Sequence, residues 1–230
     1  PCRSCTGPGD TQGAVVFHTS MSGYQEVLTD PSYSGQMVVM TYPLIGNYGV
    51  NPEDIESGRI QVAAFIIKEY QAYPSNFRAT ATLADYLTRY GILGVEHLDT
   101  RAITRHIRNA GAMRAIISTD DLTPASLVQR ANEIPKMAGL NLANFVTTPE
   151  PFYWENGKLE IINPDRYALD KTIWRHRGRK RSVIAFDFGI KFNILRQLEK
   201  IGFEMVVVPS NTTADTIEAM APDGIFLSNG

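Results

Sequence analysis

The sequence predicts an α/β protein of two domains: a loop-rich first domain over residues 1–149 and the start of an open parallel sheet over 182–230, joined by a linker at 150–181. Three observations carry this expectation. Beyond residue 182, short apolar runs alternate with amphipathic segments at the spacing of β-α-β units. Between 150 and 182 the periodicity lapses among Pro151, Gly157, Pro164 and a cationic run, Arg175-His-Arg-Gly-Arg-Lys-Arg181. Ahead of that, the stretch 19–52 sets Gly23, Gly35, Gly46, Gly49, Pro31, Pro43 and Pro52 too close together for a long helix.

In chain order, the apolar runs at 15–18 and 36–41 read as strands flanking the first punctuated loop. With Tyr24, Tyr33, Tyr42 and Tyr48 and many hydroxyls and amides, the stretch reads as shaped polar loops held on a sheet. Binding residues tend to sit in such loops, although turn chemistry alone also explains each Gly and Pro. Residues 59–68, nearly all apolar at the centre, read as a strand buried on both faces. Thr82, three residues before Asp85, has capping-box spacing and opens a helix with Leu83, Leu87 and Tyr90 on one face and Gly91 at its end. A short strand follows at 94–97. Asp99 caps a helix over 100–110 that turns Ile103, Ile107 and Ala110 inward and Arg101, Arg105 and Arg108 outward, as a solvated face or a partner surface. Residues 113–118 form a strand, and Thr123-Pro124 opens a helix facing Leu127, Val128, Ala131 and Ile134 to the core.

In the second domain the expected strands are 182–187, 203–208 and 223–227, with helices at 191–201 and 213–220 between them. Ligands of such sheets bind beyond the carboxyl ends of the strands, here Asp187-Phe-Gly189, Pro209-Ser-Asn211 and Ser228-Asn-Gly230.

Composition removes several function classes. With 43% hydrophobic and 20% charged residues the 230-residue chain reads as soluble and globular, and a net charge of -2 disfavours general nucleic-acid binding. The apolar runs fall short of a membrane span, and no secretion-type signal opens the chain. Pro1 in place of methionine and Gly230 directly after a strand-like run suggest that both ends are cut. Cys2 and Cys5 have C-x-x-C spacing, but His18, His97, His106 and His176 are not spaced to complete a zinc site, and Cys5 leads into Thr6-Gly-Pro-Gly9; both read as reduced thiols. Asp187-Phe-Gly189 matches a kinase triplet without the other kinase motifs, no G-x-G-x-x-G or Walker sequence is present, and Asp120-Asp121 suits a helix entry. The cationic run reads as a solvated linker, since no aromatic stacking platform accompanies it. The residues by themselves leave the function open.

A resemblance narrows it. Phe17-His-Thr-Ser-Met-Ser-Gly-Tyr-Gln-Glu-Val-Leu-Thr-Asp-Pro-Ser-Tyr-Ser-Gly-Gln36 with Thr41-Tyr-Pro-Leu-Ile-Gly-Asn-Tyr-Gly49 closely resembles the small, glutamine-hydrolysing subunit of carbamoyl-phosphate synthases. So do Ser75-Asn-Phe-Arg78, Leu98-Asp-Thr-Arg-Ala-Ile-Thr-Arg105, Asp187-Phe-Gly-Ile-Lys191 and Pro222-Asp-Gly-Ile-Phe-Leu-Ser-Asn-Gly230. The similarity runs from Arg3 to Gly230 and weakens in the linker. It implies a layered β/β/α first domain followed by a class I glutamine amidotransferase domain. In that family a cysteine thiolate on a strand-to-helix elbow attacks the glutamine amide, assisted by a histidine and a glutamate. The ammonia passes to a large subunit, which uses ATP and Mg2+ to make carbamoyl phosphate from bicarbonate for pyrimidine and arginine synthesis. The resemblance therefore implies a cytoplasmic chain with no cofactor or metal of its own, L-glutamine as substrate, the large subunit as partner, and neither nucleic acid nor membrane.

Ser32 falls on the family's glutamine-contacting serine, and Gly230 on the first glycine of its S-N-G-P-G loop, whose amides help hold glutamine and the oxyanion. The Cys/His/Glu triad falls beyond Gly230, so no catalytic residue is expected within 1–230. Two other readings stand beside this one. A class I amidotransferase of anthranilate or GMP synthesis would share 187–230 but not 17–49. A non-catalytic docking module would use the Arg101, Arg105 and Arg108 face.

Overall fold

A computed structural model describes residues 2–135, 139, 141–163 and 168–229. The chain divides into two compact units, Pro1–Leu140 and Asn141–Gly230.

In the first unit the elements run β1 (Arg3–Ser4), β2 (Asp10–His18), α1 (Tyr24–Thr29), β3 (Met37–Met40), β4 (Leu44–Ile45), β5 (Ala64–Ile66), β6 (Glu69–Tyr70), α2 (Leu83–Arg89), β7 (Leu93–Glu96), α3 (Thr100–Ala110), β8 (Met113–Ser118) and α4 (Pro124–Glu133). Six strands form one sheet in the order β1-β7-β5-β3-β2-β8, and β4 pairs with β6. The central four are parallel and the two edges antiparallel. Successive side chains of a strand leave on opposite faces, so β3 feeds two cores. Val38 and Met40 pack with Tyr24, Leu28, Phe65 and Leu87 on the side of α1 and α2. Met37 and Val39 pack with Val15, Ile66, Val95 and Ile107 on the side of α3.

Several expectations change here. The strand expected over 59–68 contracts to Ala64–Ile66. Ile60 and Val62 are buried as expected, but the backbone beside them serves loops: Gln61 N–H donates to Leu28 O, Gly35 N–H to Gln61 O, and Ala63 N–H to Gln36 O. The punctuated stretch holds a six-residue helix, α1, entered through Gly23 at φ 81°. Ala110 faces solvent at the end of α3, and Tyr90 is the exposed C-cap of α2; α4 buries no residue, with Leu127, Ala131 and Ile134 half-buried and Val128 exposed, so it lies on the surface rather than facing a core.

The second unit contains α5 (Ala143–Val146), β9 (Phe152–Glu155), β10 (Lys158–Ile161), β11 (Arg181–Asp187), α6 (Phe192–Lys200), β12 (Phe203–Pro209), α7 (Ala214–Met220) and β13 (Gly224–Leu227). Its sheet has the order β10-β9-β12-β11-β13, with β12, β11 and β13 parallel. Ile184, Val206 and Val208 pack with Ile217 and Met220 of α7; Val183, Ala185, Met205 and Val207 pack with Leu195 of α6. Helices thus cover both faces, as a parallel sheet requires.

The segment expected as a linker is part of this sheet; Pro164 itself lies outside the described residues. β9 and β10 form a hairpin whose two-residue turn, Asn156 at φ 53° and Gly157 at φ 69°, is the Asn-Gly type that suits strand twist. The Glu199 carboxylate accepts from the N–H groups of Asn156 and Gly157 and from Trp154 Nε1. The cationic run begins as a clasp rather than a tether. The Arg175 guanidinium lies 3.9 Å over the Tyr153 ring and forks onto Glu160 at 2.9 and 2.7 Å. His176 Nε2 meets Glu155 Oε1 at 2.7 Å, and Glu204 accepts the backbone N–H groups of both Arg175 and His176. Trp174, buried, donates from Nε1 to Met220 O at 2.7 Å.

This clasp is acid-sensitive. The hydrogen bond from His176 holds the Glu155 carboxyl below its ordinary value of 4.5, and the one from Arg175 does the same for Glu160. A carboxyl held low by the fold contributes stability above its unfolded pKa and loses it as pH falls through the folded value. The thermal midpoint should therefore drop as pH is lowered below about 4.5, and E155Q/E160Q should flatten that drop. An acid profile identical in the double variant would exclude the clasp as its source.

Candidate functional site

The turn that carries Ser32 is built from its neighbours. Pro31 has its φ preset for the first position of a short 3-10 helix, Pro31–Tyr33, and Asp30 caps it, its Oδ1 accepting Ser32 N–H at 2.9 Å. Tyr33 N–H donates to Asp30 O, and Ser34 N–H to Pro31 O, both at 3.0 Å. Gly35 follows at φ 69°. From the strand side, Gln36 Nε2 returns to the Ser32 carbonyl at 3.0 Å. Pro31 is buried, and Tyr33 packs on the core with its ring edge-on to His18, centroids 6.1 Å apart. Ser32, between them, is exposed.

Beside this turn, the loop around 41–51 is laced to α1 by two tyrosines. Their rings stack at 4.1 Å; Tyr48 Oη accepts the N–H groups of Gly23 and Tyr24, and Tyr24 Oη donates to Gly49 O at 2.7 Å. Burial pushes the Tyr48 phenol up to about 12 and that of Tyr24 higher still, so both stay protonated. The Gln25 amide reads the backbone of Asn51 in both directions, Nε2 donating to its carbonyl and Oε1 accepting its N–H. Gly23, Tyr24, Gln25, Tyr48 and Gly49, all within the motifs of this stretch, are thus structural members of the loop scaffold.

In the second unit the strand ends form a shaped rim. Asp187, buried at the end of β11, accepts from Gly189 and Ile190 N–H through Oδ1 and from Thr148 N–H through Oδ2 at 2.7 Å. Ser228, just past β13, accepts Phe188 N–H at 2.9 Å and donates to Asn229 O. Ser210, past β12, donates its N–H to Thr147 Oγ1 at 2.9 Å. Gly230 lies outside the described residues.

The Cys5 thiol is not prepared for nucleophilic work. Burial pushes the Cys5 thiol up to about 11, the opposite of an activated cysteine, and Cys2 is simply exposed. Arg101, Arg105 and Arg108 are all exposed along α3. Among the described residues no group of three or more His, Cys, Asp or Glu could hold a metal, and no helix is long and apolar enough to cross a membrane. Sequence reasoning singled out Ser32 and the strand ends at Asp187 and Ser228, but missed the groups that shape the first turn: Asp30 and Gln36. Asp30-Pro31 is a readable N-cap followed by an N1 proline. The four-residue reach of Gln36 carries no sequence signal.

Comparison with known proteins bears on these two regions. The family model described as "Carbamoyl-phosphate synthase small chain, CPSase domain" matches residues 2–117, and that of "Glutamine amidotransferase class-I" matches 184–230. The chain is 50% identical over 228 residues to the carbamoyl phosphate synthase small chain of Nitratidesulfovibrio vulgaris Hildenborough, covering 99% of this chain and 60% of that protein. It is 52% identical over 223 residues to that of Syntrophotalea carbinolica, covering 96% of this chain and 57% of the relative. With the small chain of Aquifex aeolicus the identity is 47% over 222 residues, covering 96% and 58%. The chain thus spans about 60% of the length of the curated relatives it matches.

Two glycines test the scaffold. Gly49 and Gly91 have nearly the same φ, +66° and +67°, but a Cβ at Gly49 would lie 2.7 Å from Ala79 Cβ and 2.9 Å from Ala81 O, whereas at Gly91 nothing lies within 4 Å. Gly91→Ala should cost about 1–2 kcal/mol for the left-handed conformation alone. Gly49→Ala should cost visibly more in chemical denaturation; equal costs would mean that the loop yields freely.

Proposed function

Because the chain belongs to the carbamoyl-phosphate synthase small chain family, we propose that it carries the first domain and the opening of the amidotransferase domain of a glutamine-hydrolysing subunit. Glutamine is the substrate. Its side-chain amide is attacked by a cysteine thiolate, with a histidine as acid and base and a glutamate orienting it, all three outside residues 1–230. The ammonia goes to a large partner chain, which uses ATP and Mg2+ to convert bicarbonate to carbamoyl phosphate. On this reading the protein is one half of a cytoplasmic heterodimer serving pyrimidine and arginine synthesis.

The observation that carries the reading is the continuous small-chain match over 2–117, which an amidotransferase of another pathway would not account for. The second match begins on β11, the strand whose carboxyl end opens the rim described above. Ser32 is the glutamine contact from the first domain. A hydroxyl can donate to the substrate carboxylate or accept from its ammonium, and the exposure of Ser32 on a turn with a fixed backbone suits that role. Gly230 contributes backbone amide at the glutamine and oxyanion site, where a side chain would obstruct close approach. The raised thiol of Cys5 supports a nucleophile elsewhere.

Residues 1–230 should release no ammonia from glutamine, whereas the polypeptide extended to the length of its relatives should. Ammonia from 1–230 would overturn the assignment of the nucleophile. In the extended protein S32A should raise KM for glutamine about tenfold or more, the loss of one hydrogen bond to a charged group. The extended protein should also co-purify with a large ATP-dependent synthetase.

A further inference from the structure

Ser32 sits on a turn whose shape depends on two side chains. The Asp30 carboxylate, in a residue only 7% exposed, takes the Ser32 N–H, and the Gln36 amide takes the Ser32 carbonyl. Gln36 is well placed for this. Its own N–H donates to Tyr33 O at 3.0 Å and its carbonyl accepts Ala63 N–H at 2.8 Å, while the next residue, Met37, enters fully buried β3. The amide therefore reaches back to the turn from an anchored base. On either side of Ser32, Pro31 is buried and Tyr33 is half-buried against the core. A serine so held loses backbone freedom before any ligand arrives, which lowers the ordering cost of binding.

We propose that Gln36 is a positioning residue for the Ser32 hydroxyl, acting with Asp30 by clamping the two backbone groups of Ser32. This rests on the reading of Ser32 as a glutamine contact. Gln36 touches no substrate; it fixes the direction from which the hydroxyl meets it. Its contribution is to binding that is equal in ground and transition states, so it moves KM and leaves kcat alone.

Gln36 gives the cleaner test, since its bond to Ser32 is solvent-exposed whereas Asp30 is buried. In the polypeptide extended to the length of its relatives, Gln36→Leu removes the donor and Gln36→Glu sets an acceptor against an acceptor. Both should raise KM for glutamine by about three- to tenfold with kcat unchanged, the cost of ordering the loosened turn on binding. Gln36→Lys restores a donor and should recover most of the affinity. In an S32A background Gln36→Leu should add nothing, because both changes act through one hydroxyl. An equal cost of Gln36→Leu with and without Ser32 overturns the proposal, as does an unchanged KM in Gln36→Leu when S32A alone raises it. If S32A itself leaves KM unchanged, the assignment of Ser32 falls, and this inference with it.

Discussion

Met37, Val38, Val39 and Met40 are all fully buried, and consecutive side chains of a strand point to opposite faces. The first unit is therefore obliged to cover its sheet twice over. One layer comes from α1, α2, Ile45 of β4 and the loop that brings in Val50; the other comes from α3 through Ile107. Everything that distinguishes the stretch 19–52 follows from that demand. A loop region laid over an apolar sheet face must satisfy its own backbone polar groups, because water is excluded beneath it. Tyr48, Tyr24, Gln25 and Asn51 do so with side chains that bond to main-chain atoms rather than to solvent.

The same constraint makes the Ser32 turn rigid. Its downstream end feeds straight into β3, and its upstream end is the C-terminus of α1, whose Val27 and Leu28 are buried. A segment anchored at both ends within a few residues has little freedom left. What remains of that freedom is consumed by the Asp30 and Gln36 side chains. The exposed Ser32 hydroxyl is thus presented from a constrained backbone, and the constraint comes from core packing on both sides of the turn.

In the second unit the buried strand is β12, with Met205, Val206, Val207 and Val208 fully enclosed. Here α6 and α7 supply the two covers near β11 and β12, and the β9-β10 hairpin extends the sheet on the far side. The hairpin is held by charge as well as by packing. Glu199 caps its turn, and the Arg175 and His176 clasp ties its carboxylates to the segment leading into β11. The cationic run thus begins by neutralising Glu155 and Glu160.

The local pattern was enough to read α2, α3 and β8, where caps and a clear period sit in one short window: Thr82 with Asp85, Asp99 with Ala102, and the apolar run at 113–118. The β-α-β alternation after 181 was equally legible, as was the family resemblance carried by its long motifs. Other features depended on partners distant in the chain. Residues 59–63 look like a strand, but their backbone bonds go to Leu28, Gly35 and Gln36, so they form a loop. The Asn156-Gly157 hairpin was overlooked among prolines and cations, because its strands are confirmed only by β12 and Glu199, some fifty and forty residues away. Gln36 gave no signal, since one amide reaching one carbonyl leaves no trace in composition or period. By itself, then, the sequence determined the class of fold, the strongly capped elements and the kinship, because these depend on neighbours along the chain. Tertiary structure alone decided which apolar runs pair, what the charges of 175–176 meet and how Ser32 is held, because a hydrogen bond or a buried face belongs to two segments at once.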